Sequence, residues 1–269
     1  MIIFEAQIIM EISSYIRRHK FKISAEHSTH RLSIPLNCMS LIDNLYLIDS
    51  DIHKIYMKGL LFLAFRRFNS KDSFYVEASE DAEDFNSFVF QRISEKFNYD
   101  MAEDDYLDCD SIEESYSDSK KLPYASILTL SYYYIENFTK ETDYENLKRY
   151  CSYIIDNWDN YNSLFTWFHD DLSKRLHICD IRYNIGIGSN ASTESTQLKG
   201  SPDLIINNDT ILIIKHDRKN KFTEYAKELH LYAQGLNPNI RYKLFVFNLH
   251  NYELIEIKYD RSFDISSLP

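Results

Sequence analysis

The chain has 269 residues, 44% hydrophobic and 26% charged, a globular balance with room for one large domain or two small ones. Its net charge is −11, yet from His177 to the end 11 Lys/Arg offset 11 Asp/Glu, so the whole acidic excess lies in the first 176 residues. A polyanion laid along that N-terminal part would meet like charge, which confines any nucleic-acid contact to the C-terminal part or to a local basic patch.

The N-terminus MIIFEAQIIMEI is apolar but interrupted by Glu5, Gln7 and Glu11, and it lacks the basic start of a signal peptide. Ile2, Ile3, Ile8, Ile9, Ile12, Tyr15 and Ile16 repeat at a spacing that predicts a helix over 2–18. Further helices are expected over 51–68, with Asp51 as a cap, and over 80–98. Between Asp100 and Asp118 stand nine acids and no Lys or Arg, the composition of a solvated, mobile loop over 100–121. A nucleic-acid-mimicking segment or a tether for a basic protein partner are the sharper readings of that loop. Pro123 restarts order, and helices are expected over 124–138, 143–158 and 162–176, each with an aromatic stripe of the kind that fills a core.

After Leu176 the period changes. Strands are expected over 178–187, 198–206 and 210–216, the last two joined by the Asn207-Asn208-Asp209 turn. An amphipathic helix over 222–235 ends at Gly235 and Pro238, and strands over 241–249 and 252–259 close the chain. Together these make an α/β protein. A mostly helical, acidic region spans 1–160, and an αβββαββ segment spans 161–269.

The four cysteines, Cys38, Cys109, Cys151 and Cys179, form no CxxC pair. They exclude a zinc knuckle or a disulfide scaffold and point to a reducing, intracellular compartment. The longest apolar run, Leu60–Phe65, is too short to span a bilayer, so no membrane partner is expected. The sequons at Asn137 and Asn190 then read as chance matches. Gly186-x-Gly188 lacks the third glycine of a dinucleotide loop, and His27-x-x-His30 has no further metal ligands nearby in sequence.

One pattern carries chemistry. Asp203 stands near the end of one expected strand and Lys215 at the end of the next, an arrangement expected to put both side chains at one sheet end. A carboxylate there can hold Mg²⁺ or Mn²⁺, and an ammonium can steady the charge of a reacting phosphate. Pro202-Asp203, the apolar strand ending in Lys215, and the helix carrying Glu228-x-x-x-Tyr232 resemble the PD-(D/E)xK nuclease superfamily, in particular its RecB-like branch. The resemblance covers roughly the last 110 residues. It implies a restriction-endonuclease-like αβββαβ core with a mixed sheet, cleavage of DNA or RNA, and metal binding by Asp203. Lys215 would stabilise the transition state, with Pro202 and Tyr232 in support.

The chain departs from that pattern at Ile213, where the superfamily carries an acid two residues before the lysine. Two opposite charges 4 Å apart are worth about 4 kcal/mol at an effective dielectric near 20, so a lost carboxylate weakens a metal site by powers of ten. Glu228, 13 residues after Lys215, is the candidate replacement, as in restriction enzymes whose acid has moved to the helix; a solvated helix face is the other reading. Asp170 or Asp171 on the preceding helix could add a ligand, with Asp171 the expected one. Lys215, Arg218, Lys219, Lys221 and Lys227 place five positive charges in 13 residues against Asp217 and Glu224, the best phosphate-binding patch of the chain. His216 and His230 flank the region as surface or core histidines. Two functions follow: a metal-dependent nuclease, active or weakened, or a non-catalytic module that keeps the fold to bind nucleic acid or a protein.

Overall fold

The computed structural model describes residues 8–66, 80–97, 144–183, 185–187, 192–193 and 196–268. The acidic run, the expected helix over 124–138, Cys109, Gly188 and both sequon asparagines lie outside these residues. In chain order the elements are β1 (Ile8–Glu11), α1 (Ile12–Arg18), β2 (His27–Arg31), α2 (Leu36–Ile48), α3 (Ser50–Arg66), α4 (Glu80–Phe97), α5 (Tyr144–Asp156) and α6 (Trp158–Trp167). A π-helical turn (Phe168–Leu172) leads into α7 (Ser173–Leu176). Then come β3 (Ile181–Tyr183), β4 (Thr196–Lys199), β5 (Leu204–Ile206), β6 (Thr210–Lys215), α8 (Phe222–Leu236), β7 (Lys243–Asn248), β8 (Glu253–Ile257) and a 3₁₀ turn (Ile265–Ser267). The protein is mixed α/β, and among the described residues no helix is long and apolar enough to cross a membrane.

The chain divides into two compact units, but not at residue 160. One unit joins Met1–Ser33 to Ile178–Pro269, and the other is Ile34–His177. The sheet unit thus takes a strand, a helix and a sheet edge from the N-terminus, and the helix that begins at Trp158 belongs to the helical unit.

In the helical unit, α2 buries Cys38, Leu41, Ile42 and Leu45, a 3–4 residue spacing that marks one helix face. The cap of α3 is Asp49 rather than Asp51: its Oδ1 accepts from the Asp51 and Ile52 N–H groups at 2.9 and 3.0 Å, two donors a helix start leaves without partners. Ile52, Tyr56 and Leu60 of α3, Leu147, Tyr150 and Ile154 of α5, and Tyr161, Leu164 and Phe168 are buried. Two buried polar contacts link α3 to α5: His53 Nδ1 lies 3.1 Å from the Tyr150 hydroxyl, and the Tyr56 hydroxyl 3.1 Å from Cys151 Sγ. Burial holds the Tyr150 phenol well above its usual range and pushes the Cys38 thiol up to about 11, so neither titrates near neutrality.

The sheet unit holds a six-stranded mixed sheet in the order β2-β8-β7-β6-β5-β3. β3, β5 and β6 run antiparallel in succession, β6 and β7 run parallel across the α8 connection, and β8 and β2 continue antiparallel. The β5–β6 hairpin turns at Asn207 and Asn208, with φ of 52° and 60°, the left-handed pair that matches strand twist. α8 lays Tyr225, Leu229, Tyr232 and Ala233 on Ile211, Ile213, Leu244, Val246, Ile255 and Ile257, and Ile12 and Tyr15 of α1 join this core.

Of the helix expected over 2–18, Ile12–Arg18 is helical and Ile8–Glu11 is a strand, residues 2–7 lying outside the described residues. Ile8–Glu11 pair in parallel with Thr196–Lys199, forming a separate two-stranded sheet. The expected strand over 198–206 is accordingly two strands, broken at Gly200–Asp203, and only the second belongs to the six-stranded sheet. The expected strand over 178–187 shortens to Ile181–Tyr183.

His230, buried in α8, ties the C-terminal segment down. Its Nδ1–H donates to the Ala226 carbonyl at 2.7 Å and its Nε2 accepts from the Asp260 N–H at 2.7 Å, a pattern only the neutral ring can make. Burial lowers its pKa below 6.5, against smaller opposing effects of the Ala226 bond and the Asp260 charge. The folded state therefore binds this proton less readily than the unfolded chain. Stability from this group is complete above about pH 6.5 and falls as pH drops below that value. Urea midpoints measured from pH 8 to 5 should decline through this window, and His230→Gln should flatten the decline.

Candidate active site

The strand alternation of β6 sends Ile211, Ile213 and Lys215 to the side covered by α8. The first two enter the core, and the third reaches the rim where α8 presents Glu228. Lys215 Nζ lies 2.9 Å from Glu228 Oε1 and 2.7 Å from Oε2, with side-chain exposures of 21% and 18%. Glu228 is therefore not a solvated helix residue; both its oxygens face the ammonium. Asp203, immediately before β5, is buried, and its Oδ2 accepts from the Ile214 N–H at 2.5 Å. That bond fixes the carboxylate against the strand that carries Lys215.

The electrostatics place these groups in one field. Burial by itself would lower the Lys215 pKa, but the carboxylates of Glu228, Asp203 and Asp217 and the hydrogen bond to Glu228 outweigh it, so the pKa rises above 10.5. Lys215 is a fixed cation at neutral pH, not a base. Tyr232 of α8 is buried, and its phenol is held far above its usual range, first by burial and then by the charges of Glu228, Asp203 and Glu11. It stays protonated beside the carboxylates. Its ring lies against Gly200, where a Cβ would come within 3.1 Å of Tyr232 Cε1 and where φ is +151°; only glycine suits both conditions. Gly200 and the buried Pro202 thus shape the short connection that delivers Asp203.

Ile213, where the resemblance leads one to expect an acid, is 1% exposed and packed in the α8 core. It offers no ligand and no space for one. Asp203 and Glu228 are hard oxygen donors whose chemistry fits Mg²⁺ or Mn²⁺, and both act on the same ammonium. Asp170 and Asp171 lie on the π-helical turn of the helical unit, with Asp171 exposed, and the site described here is built from the sheet unit alone.

The basic patch narrows. Lys221 Nζ pairs with Asp217 Oδ1 at 3.1 Å, and Lys227 Nζ sits 4.6 Å over the Phe21 ring. Arg218 and Lys219 are exposed and, among the described residues, hold no ion-pair partner. His216 packs edge-on against His250, with ring centroids 5.2 Å apart. His27 and His30, both exposed on β2, stand an odd number of positions apart and so point to opposite faces of the strand.

Sequence reasoning missed Glu11, Asp217 and Asn248. Asp217 accepts from the Tyr225 hydroxyl at 2.8 Å and adds its charge to the Lys215 environment. Asn248 is fully buried at the end of β7, as Lys215's register partner. Its one sequence signal is a polar residue closing the apolar run LFVF. Compared with family models, curated proteins and solved structures, the chain matches none.

Proposed function

We propose that the sheet unit is a divalent-metal-dependent phosphodiesterase acting on nucleic acid, a PD-(D/E)xK-type module whose strand acid has moved to Glu228 on the helix. The observation that carries this reading is the rim where one half-buried ammonium, Lys215, meets Glu228 directly and lies within the field of Asp203. The strand order supports it: three antiparallel strands, a helix and a parallel fourth strand are what the resemblance implies for the core.

Asp203 and Glu228 would hold the cation, which when bound supplies an acidified water and charge neutralisation at the phosphate. The chain's own residues do the rest. Lys215, protonated throughout the neutral range, stabilises the charge that builds on the phosphoryl oxygens as the water oxygen adds and the P–O bond breaks. The Ile214 N–H holds one oxygen of Asp203, so the carboxylate turns its remaining lone pairs in a fixed direction. Tyr232, kept protonated, can donate to a carboxylate or a phosphate but cannot compete as an anion.

A second reading, a binding module without catalysis, is favoured by the buried Ile213 and by the Lys215 charge already being neutralised by Glu228. Labelled single- and double-stranded DNA and RNA, incubated with Mg²⁺ or Mn²⁺, separate the two. Cleavage by the wild type that Asp203→Ala abolishes supports the enzyme. Metal-independent binding with no cleavage supports the module. Equal cleavage by both proteins removes the enzyme.

A further inference from the structure

The loop that follows Lys215 is held from beneath by one side chain. Asn248 is 0% exposed, and its amide makes four hydrogen bonds. Its Nδ2 donates to the Asp217 carbonyl at 2.8 Å and to Asn220 Oδ1 at 2.6 Å, while its Oδ1 accepts from the Asp217 N–H at 3.3 Å and the His250 N–H at 3.1 Å. Asn220 Nδ2 in turn donates to Glu253 Oε2 at 2.7 Å, and the Leu249 N–H to the Lys215 carbonyl at 2.7 Å. Both ends of the segment 217–220 are thereby fastened to the parallel β6–β7 pair at its carboxyl ends. Between the fastened ends stand Arg218 and Lys219, exposed cations three and four residues from Lys215. A chain under no constraint would let two long basic side chains wander on a mobile loop. Here a buried amide with all its hydrogen-bonding capacity engaged fixes their backbone, and such a side chain is expensive to bury unless so satisfied.

We propose that Asn248 is a positioning residue that fixes Arg218 and Lys219 as contacts to the phosphate backbone of a nucleic-acid strand lying across the Lys215 rim. The proposal rests on the phosphodiesterase reading and names the part of the site that grips the strand outside the reacting phosphate. Preorganised cations lose less entropy on binding than mobile ones, so each contact keeps more of its attraction.

Two readouts test it on the full chain. The first needs no ligand: limited trypsin digestion of wild type and Asn248→Asp, a variant of the same shape that loses both donated bonds. Cutting after Arg218 and Lys219 should speed up about tenfold while cutting after Lys243 on β7 stays unchanged, which marks local release rather than unfolding. The second is fluorescence anisotropy in EDTA of a short labelled DNA strand, alone and annealed to its complement, across a salt series. Arg218→Ala/Lys219→Ala should make the slope of log K against log[salt] less negative by about 1.4 for the single strand and about 1.8 for the duplex, two phosphate contacts' worth. Asn248→Asp should weaken binding about tenfold and move the slope in the same direction.

Unchanged affinity and slope in Asn248→Asp, with wild type binding well, overturns the proposal and leaves the phosphodiesterase reading standing. Should Asn248→Asp fail to fold, the exposed double variant decides alone: full binding by it overturns the proposal. A wild type that binds neither strand nor duplex overturns the proposal, while the cleavage assay with Mg²⁺ or Mn²⁺ decides the phosphodiesterase reading separately.

Discussion

Lys215→Met should lower phosphodiester cleavage by about 10²–10³-fold, the usual loss when one fixed charge-stabilising donor is removed. It should also destabilise the fold by about 1–3 kcal/mol, because both oxygens of Glu228 lose their partner in a site only 18% exposed. The two effects separate in Lys215→Met/Glu228→Gln. Removing both charges should return stability to within about 1 kcal/mol of wild type, since a paired buried charge is often no better than a neutral pair. Cleavage should not return. Urea unfolding and single-turnover cleavage of the three proteins measure this, and recovery of activity in the double variant would show that the ion pair is structural only.

Ile213→Asp should strongly destabilise the sheet unit. It places a carboxylate at a side chain 1% exposed and enclosed by the α8 core. The loss of a buried isoleucine forfeits about 2–3 kcal/mol. Desolvating a carboxylate without a counter-charge adds to that, for a total above about 4 kcal/mol. The urea midpoint should fall accordingly. A variant as stable as wild type would mean that Ile213 is not part of the packing that holds α8 to the sheet. Position 213 belongs to the core, which on the proposed reading leaves the carboxylate role to Glu228.

Most of the six-stranded sheet was legible because its signals are local. The apolar runs of β6, β7 and β8, the Asn207-Asn208 turn and the stop of α8 near Gly235 and Pro238 each lie within a few residues of the element they specify. The N-terminus was not legible: Ile8 and Ile9 fit a helical period, and only pairing with Thr196–Lys199 makes them a strand. β2, HSTHR, is exposed at all five residues and has no apolar alternation to read. α2 did carry a signal, the spacing of Cys38, Leu41, Ile42 and Leu45, but apolar residues on its other side, such as Leu36 and Leu47, both about four-fifths exposed, obscured it. Of the site, the Asp203–Lys215 juxtaposition followed from two adjacent strands. The engagement of Glu228 needed the rotation of α8 about its axis, and Asn248 needed the β6–β7 register. Neither is encoded by spacing alone.

A Mn²⁺ titration followed by electron paramagnetic resonance addresses the Asp203–Glu228 rim most directly. Wild type should take up one ion, and Asp203→Asn and Glu228→Gln should each weaken that uptake at least about tenfold, as expected when a hard anionic ligand is lost from a two-carboxylate site. Uptake that neither substitution alters, or no uptake by wild type at all, would contradict a cation site beside Lys215.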